Sequence, residues 1–414
     1  MTQVYPKELF LQSATEYLDE LKKAEDFSKI LNLWRSTNIP YAISERDPYS
    51  PSYRQEVLDL YNDLTGCDYD VKNEWTSTLQ TPEEFERGYP WVSGNLSVIA
   101  EEIAKPVQVM RALHDLGKDH LRVIEFGSGW GNLAIPLAKS GVAMTLVDID
   151  QGFLDRARRI AEREGLSIET ICGDFLEIAL EGDGIYDVAV FQSSFHHCLE
   201  FEELLIAVRD RILKPEGQIF FANEPITTEL KFPWGLRYDG ESLWAIMCNK
   251  WLELGFHYDF FVQLLLRSGF LPQALPEVPS LVDKGWRAIP GRSVVPFASL
   301  RLPEKCSASF HDPDSSTGGR FARGTSILPP VDGGGVSGWR IRFVNYSLRP
   351  LKFQVGIEGA MEVLSLESGQ SLVRDLMTRG RELVIESETF IPSQVSASSD
   401  ERCLGVYLDT AQLL

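Results

Sequence analysis

No apolar run in the 414 residues approaches the ~18–20 that a membrane-spanning helix needs, which excludes a helical membrane protein. Cysteine is scarce and scattered: Cys67, Cys172, Cys198, Cys248, Cys306 and Cys403 form no C-x-x-C pair. That spacing suits neither a disulfide frame nor a zinc site, and it reads as reduced core thiols in a cytosolic protein. There is no cluster of Lys and Arg. With 40 basic against 60 acidic side chains, the net charge is −20, so non-specific nucleic-acid binding and docking on anionic membranes are excluded. The N-terminal MTQVYPKELFLQ has no basic segment followed by an apolar one, so no secretory signal is read and a cytoplasmic location is expected. What is present is ordinary for a globular chain: 44% hydrophobic and 24% charged residues, enough to build real cores. The acidity itself reads as solubility.

Three regions separate by pattern, at residues 1–118, 119–294 and 295–414. The first is expected to be a helical cap. Apolar residues recur at helical spacing to residue 34, and Val98–Leu116 give a further helix with Pro106 inside it and Gly117 as its stop. Between them lies an aromatic stretch that includes Tyr53, Tyr61, Trp75, Tyr89 and Trp91, read as core in preference to a lid. The second region alternates strand candidates with helical stretches, the signature of a parallel sheet flanked by helices. The strand candidates are Arg122–Phe126, Ala143–Val147, Ile168–Cys172, Asp187–Phe191 and Gln218–Ala222, and Trp251–Gly269 is expected to be helical. In the third region Gly, Ser and Pro rise and the net charge is only −2, against −18 before it. Short runs such as WRIRFVNY, LKFQVGI and ELVIES predict an all-β sandwich there.

The most informative stretch runs from Val123: VIEFGSGWGNLAIPLAKSG. A strand enters Glu125-Phe126-Gly127-Ser128-Gly129-Trp130-Gly131, where glycines allow a tight turn and a close approach of backbone to ligand. A second acid, Asp148, ends the next strand 21 residues after Gly127, the spacing at which a βαβ unit offers a carboxylate to a ribose diol. Nicotinamide folds prefer G-x-G-x-x-G; here the pattern is acid-x-G-x-G-x-G. With Gly173-Asp174-Phe175, YDVAVFQSSFHH and LKPEGQIFFANEP following in order, residues 120–270 resemble the class I S-adenosylmethionine (SAM) dependent methyltransferases. In that family's pattern Phe195 stands for a leucine and Glu216 for a glycine.

The resemblance implies a Rossmann-like α/β core with a mostly parallel seven-stranded sheet. It also implies SAM as cofactor, with S-adenosylhomocysteine as product. Glu125, Gly127, Ser128 and Gly129 would surround the methionine end, Asp148 the ribose and Ile149 the adenine. Asp174 would accept from the adenine amino group, Phe175 would cover the ring, and Gln192 would lie near the sulfonium. For the chemistry, His196 and His197 follow the fourth strand and Glu224 follows the fifth, at the sheet edge where such folds place ligands. Each can serve as the base that an alkyl hydroxyl needs; the alternative for either histidine is to hold the loop, and for Glu224 to anchor the substrate hydroxyl. No carboxylate and histidine cluster stands out along the sequence, so no metal is assigned.

The chain's ending resembles the close of a β-sandwich module appended to bacterial surface-polysaccharide enzymes. It carries Pro392-Ser393-Gln394, with Gln394 in the place of an acid, and Asp400-Glu401-Arg402-Cys403-Leu404-Gly405-Val406. This points to O-methylation of a sugar hydroxyl in polysaccharide or glycan biosynthesis, with a small-molecule or glycan acceptor as partner and homo-oligomer formation left open. Two readings compete with it: methylation of a small natural product, and a non-catalytic glycan-binding scaffold with a SAM-fold core.

Overall fold

The computed structural model describes residues 4–24, 26–75, 81–276, 285–313, 318–333, 335–395, 398 and 400–414. Helices dominate the first part: α1 (Lys7–Lys22), α2 (Phe27–Ser36), α3 (Pro51–Thr65), α4 (Pro82–Arg87) and α5 (Leu96–Asp115). Local chemistry sets their ends. Ser50 accepts the Tyr53 N–H at the start of α3, Pro51 opens it, and Gly66 stops it in the left-handed region. α5 continues through Pro106, and Gly117 follows its end with φ +60°.

Arg122–Phe126 (β1) is buried at four of five positions, as a strand covered on both faces requires. β2 (Ala143–Asp148), β3 (Ile168–Cys172), β4 (Tyr186–Gln192) and β5 (Leu213–Ala222) pair in parallel around it. Between them run α6 (Ala134–Lys139), α7 (Gln151–Glu164), α8 (Phe175–Leu180) and α9 (Phe201–Ala207), the last continued by one wider turn over Val208–Ile212. β5 then starts five residues before the expected Gln218.

The next segment departs from expectation. Ile226–Thr227 (β6), Trp234–Leu236 (β7) and Leu254–His257 (β8) form a small three-stranded sheet, with α10 (Gly240–Trp244) between β7 and β8. Only Tyr258–Arg267 (α11) of the stretch expected to be helical is a helix. A run as short as Leu254-Gly255-Phe256-His257 fits a strand and a helix equally, and pairing with β6 on one side and β7 on the other decides for the strand. The chain returns to the main sheet as β9 (Phe270–Ala274) and β10 (Trp286–Pro290). The finished order is β3-β2-β1-β4-β5-β10-β9, seven strands with β10 antiparallel to both neighbours.

The sheet's faces belong to two cores. Val123, Val188, Val190 and Phe220 face one cluster that includes Leu137 and Leu154; Ile124, Phe126, Phe191 and Phe221 face the other. The second also takes in Phe10, Tyr53 and Tyr61 from the helical region. Four tyrosines tie that region to the 226–257 segment by donating to its backbone: Tyr17 to Gly240 O (2.8 Å), Tyr41 to Leu236 O (3.1 Å), Tyr53 to Trp234 O (2.7 Å) and Tyr61 to Lys250 O (2.5 Å). Trp75 and Trp91 stay about half exposed and add nothing to this core.

From residue 295 onward the chain is β-rich. Two antiparallel sheets form: β11 (Val295–Pro296), β12 (Arg320–Phe321), β14 (Gly338–Val344), β17 (Ser371–Met377) and β19 (Tyr407–Leu413) in one, and β13 (Thr325–Leu328), β15 (Leu351–Ile357), β16 (Ala360–Leu366) and β18 (Leu383–Ser387) in the other. β15 alternates buried and exposed residues, and Phe343 of β14 meets Phe353 of β15 at 5.0 Å between ring centroids. This region leans on the edge of the main sheet, where Gln273 of β9 bridges to Leu300 and Leu413 N donates to Gly291 O (2.8 Å). Among the described residues, no helix is long and apolar enough to cross a membrane.

Candidate active site

β1 leaves the sheet at Phe126, and the chain turns at once. Gly127 N donates to Val147 O (2.8 Å) with φ at +73°, and a Cβ built there would stand 2.5 Å from Ser194 Cβ. Only glycine fits both demands. Gly129 N donates to Asp148 Oδ2 (2.7 Å), while Asp148 Oδ1 accepts from Asp150 N (2.9 Å). The carboxylate at the end of β2 thereby shapes the loop after β1. Beside Gly129, whose φ is +43°, the space that a side chain would fill is open.

Three buried polar atoms at this end of the sheet have no hydrogen-bond partner among the described residues: Glu125 Oε2, Ser128 Oγ and Gln192 Oε1. Buried polar atoms are normally paired, so together they mark a place prepared for a polar ligand. Burial, reinforced by the nearby Asp148, pushes the Glu125 carboxyl well above the usual range. Burial also lifts Asp148 to about 6, against the pull of its two backbone N–H donors. Asp174 caps α8 through Oδ1, accepting from Leu176 N (2.8 Å) and Glu177 N (3.3 Å). Half-buried Phe175 stands edge-on to Phe126 at 5.8 Å, and Ile149 is half-buried after Asp148.

β4 ends on the other side of this crevice. Ser194 Oγ donates to Phe126 O (2.6 Å), joining the two strand ends. Glu224 receives four N–H groups: Ser194 N (2.8 Å) and Phe195 N (3.0 Å) on Oε1, His196 N (3.2 Å) and His196 Nδ1 (2.8 Å) on Oε2. Burial disfavours its charge, but the His196 imidazole and these donors hold the Glu224 carboxyl below its ordinary value.

With Nδ1 turned to Glu224, the other ring nitrogen of His196, Nε2, faces Glu253 Oε2 at 3.5 Å. Glu253 also meets Arg237 Nη1 (3.4 Å). Although burial disfavours its charge, His196, His197 and Arg237 together hold the Glu253 carboxyl at about 2. His197 lies against His196, ring centroids 4.3 Å apart, with Nδ1 3.2 Å from Glu74 Oε2 but off hydrogen-bond alignment. Burial opposes a charge on His197, yet Glu74, with Glu253 and Glu224 behind it, raises its pKa to about 9. The charge on His197 in turn eases the ionisation of Asp148 across the crevice.

The expected residues thus gather at one end of the sheet, in two groups. Glu74, Arg237 and Glu253 join the histidine group without any sequence motif to announce them. The only trace is that Glu253 is a lone acid in the apolar run WLELGF. Of the six cysteines expected in the core, Cys67, Cys172, Cys248 and Cys403 are exposed instead; Cys198, near the site, is buried and its thiol is pushed up by burial, which suits packing rather than a nucleophile.

Residues 123–217 match the family model described as a methyltransferase domain. The chain is 35% identical over 115 residues to a carboxy-S-adenosyl-L-methionine synthase from Nautilia profundicola, covering 27% of this chain and 48% of that protein. It is 28% identical over 138 residues to a ubiquinone biosynthesis O-methyltransferase from Coxiella burnetii, covering 30% and 58%. The chain therefore spans about half the length of the curated relatives it matches. Among solved structures it is similar to a Burkholderia thailandensis 1,6-didemethyltoxoflavin-N1-methyltransferase with bound 1,6-didemethyltoxoflavin and S-adenosylhomocysteine. That match has 20% identity and a TM-score of 0.36, covering 48% of this chain and 82% of that one. Residues 123–217 thus carry a methyltransferase domain.

Proposed function

We propose that the protein methylates an oxygen of a sugar or glycan acceptor, as part of surface-polysaccharide assembly. Residues 1–118 would serve as cap, 119–294 as catalytic domain and 295–414 as a β-sandwich module that engages the acceptor or its carrier. SAM, when bound, supplies a methyl group already activated on sulfonium sulfur. The three orphaned polar atoms and the open space at Gly129 fit such a ligand. Asp148 keeps lone pairs for the ribose hydroxyls, and Asp174 keeps Oδ2 for the adenine amino group. Phe175 and Ile149 flank the adenine, and Glu125, Ser128 and Gln192 face the methionine end.

One observation carries the oxygen-acceptor reading: buried His196 and half-buried His197, braced by carboxylates, follow Ser194, which is tied to the end of β1 where the glycine loop begins. An alkyl hydroxyl reacts only as its proton is taken or its oxygen is held by an electrophile, and His196 and His197 are the groups able to deal with it. Glu224 spends both oxygens on four N–H donors, so it acts as a positioning residue for His196. The sugar class rests on the C-terminal sequence resemblance and on the two antiparallel sheets that carry it.

The test is S-adenosylhomocysteine release from SAM with a panel of sugar nucleotides, oligosaccharides and small phenols. Turnover confined to sugar acceptors, lowered about 10²–10⁴-fold in His196→Asn or His197→Asn with cofactor affinity kept, supports the reading. Turnover on phenols alone would replace the acceptor class. Undiminished turnover in both variants would remove the histidines from the chemistry.

A further inference from the structure

Three carboxylates, Glu74, Glu224 and Glu253, converge on His196 and His197 with one guanidinium, Arg237, which is itself shared with Asp239 at 3.0 Å. The geometry offers a cation a seat among these groups. One ligand atom each from His196, His197 and Glu253 lie within 4.8 Å of one another.

The orientation of the rings matters as much as their distance. Glu224 engages Nδ1 of His196 at 2.8 Å, which leaves Nε2 as the ring nitrogen that would meet a metal, the carboxylate–histidine arrangement that commonly stands behind a metal ligand. His197 Nδ1 is buried without a hydrogen-bond partner among the described residues, and so is the indole Nε1 of Trp251, whose ring stands edge-on to His197. Two imidazoles and one carboxylate form a donor set suited to zinc or a neighbouring transition ion, where magnesium would ask for oxygen ligands.

We infer that His196, His197 and Glu253 form a binding site for one divalent transition-metal ion, with Glu224 positioning His196. Three protein ligands leave at least one coordination position open. On the methyltransferase reading, which this inference uses only for the role of that position, the open place receives the acceptor oxygen and lowers its pKa.

The test uses the full-length chain, stripped with a chelator and titrated with Zn²⁺, Co²⁺ and Mg²⁺ by calorimetry, with Co²⁺ also followed by its visible absorption. S-adenosylhomocysteine affinity is measured on the same samples. The expected result is one Zn²⁺ or Co²⁺ per chain and no saturable Mg²⁺ binding. Glu224→Gln should weaken the transition ion by about 10–100-fold, and Glu253→Gln or His197→Gln at least as much, with the nucleoside affinity preserved as evidence of folding. Absence of saturable Zn²⁺ and Co²⁺ binding in wild-type protein that still binds the nucleoside would overturn the site, as would unchanged metal affinity in all three variants. Intact metal binding with no nucleoside binding would instead remove the methyltransferase reading and leave the site standing.

Discussion

Replacing Asp148 by Asn tests the proposed cofactor pocket at a residue whose two carboxylate oxygens are both engaged. Both carboxylate oxygens already accept a backbone N–H, from Gly129 at 2.7 Å and Asp150 at 2.9 Å. Asn must therefore turn an NH₂ toward one of these donors, and it also loses the charge that strengthens a ribose hydroxyl bond. A hydrogen bond to a charged group contributes ~1.5–3 kcal/mol, so losing one weakens S-adenosylhomocysteine binding by about 10- to 100-fold. Acid should mimic the substitution. Ribose hydroxyls favour the ionised form, and burial puts the free carboxyl at about 6. Affinity should thus be level above about pH 7 and fall as the pH drops through about 6, approaching tenfold per unit. The same group acts on fold stability in the opposite sense. Its folded pKa lies above the unfolded value of 3.8, so its contribution is full below that value and is lost as pH rises through about 6. Weaker binding in mild acid therefore does not reflect unfolding driven by this group. Calorimetry between about pH 5 and about pH 8 decides the matter. A flat wild-type profile, or wild-type affinity in Asp148→Asn, refutes the reasoning.

Gly127→Ala should cost cofactor affinity and melting temperature together: the left-handed φ alone costs ~1–2 kcal/mol, and the new Cβ meets Ser194 at 2.5 Å. Wild-type values of both would show that the loop has room to spare. Tyr53→Phe strips a buried donor from Trp234 O and should lower unfolding stability by ~1–3 kcal/mol in denaturant melts, whereas an unchanged midpoint would mean that this latch adds nothing. A chain ending after Leu302 should keep nucleoside affinity, because it retains the Gln273–Leu300 bridge and the Arg301 guanidinium 4.0 Å from the Trp286 ring. A chain ending after Arg292 uncovers the edge strand β9 and should aggregate. Equal solubility and affinity of the two would refute any role for that cover.

The sheet was legible because each strand carries its own signal. RVIEF and AMTLVD are short apolar runs closed by a glycine turn or an acid, and their burial follows from being covered on both faces. The glycine loop was legible for the same reason, since chain direction and spacing alone bring Asp148 to Gly129. The 226–257 segment was not. Leu254–His257 becomes a strand only because β6 and β7 flank it, and the four tyrosines that clamp it lie 181 to 223 residues away in the chain. Glu74 and Glu253 stayed hidden for that reason: their partner is a histidine pair some 120 residues from one and 56 from the other, and only the apolar run around Glu253 sets either apart from a surface acid.

The strand order explains why two acidic groups of opposite character can share one crevice. Along β3-β2-β1 the chain steps one way, and from β4 to β5 it steps the other, so the loops after β1 and β4 part and open a cleft between them. On the β1–β2 side, Glu125 and Asp148 are buried with no cationic side chain in hydrogen-bond contact among the described residues, and burial pushes both carboxyls up. On the β4–β5 side, Glu224 and Glu253 are equally buried but meet His196, His197 and Arg237, and both are held down. Burial is common to all four acids, so it cannot be the source of the difference. The source is which positive charges the fold delivers. The first pair leaves its compensation to whatever enters, which favours a ligand carrying positive charge, as SAM does on its sulfonium and ammonium. The second pair keeps its acids ionised in advance, which suits a group that must hold or deprotonate a neutral acceptor.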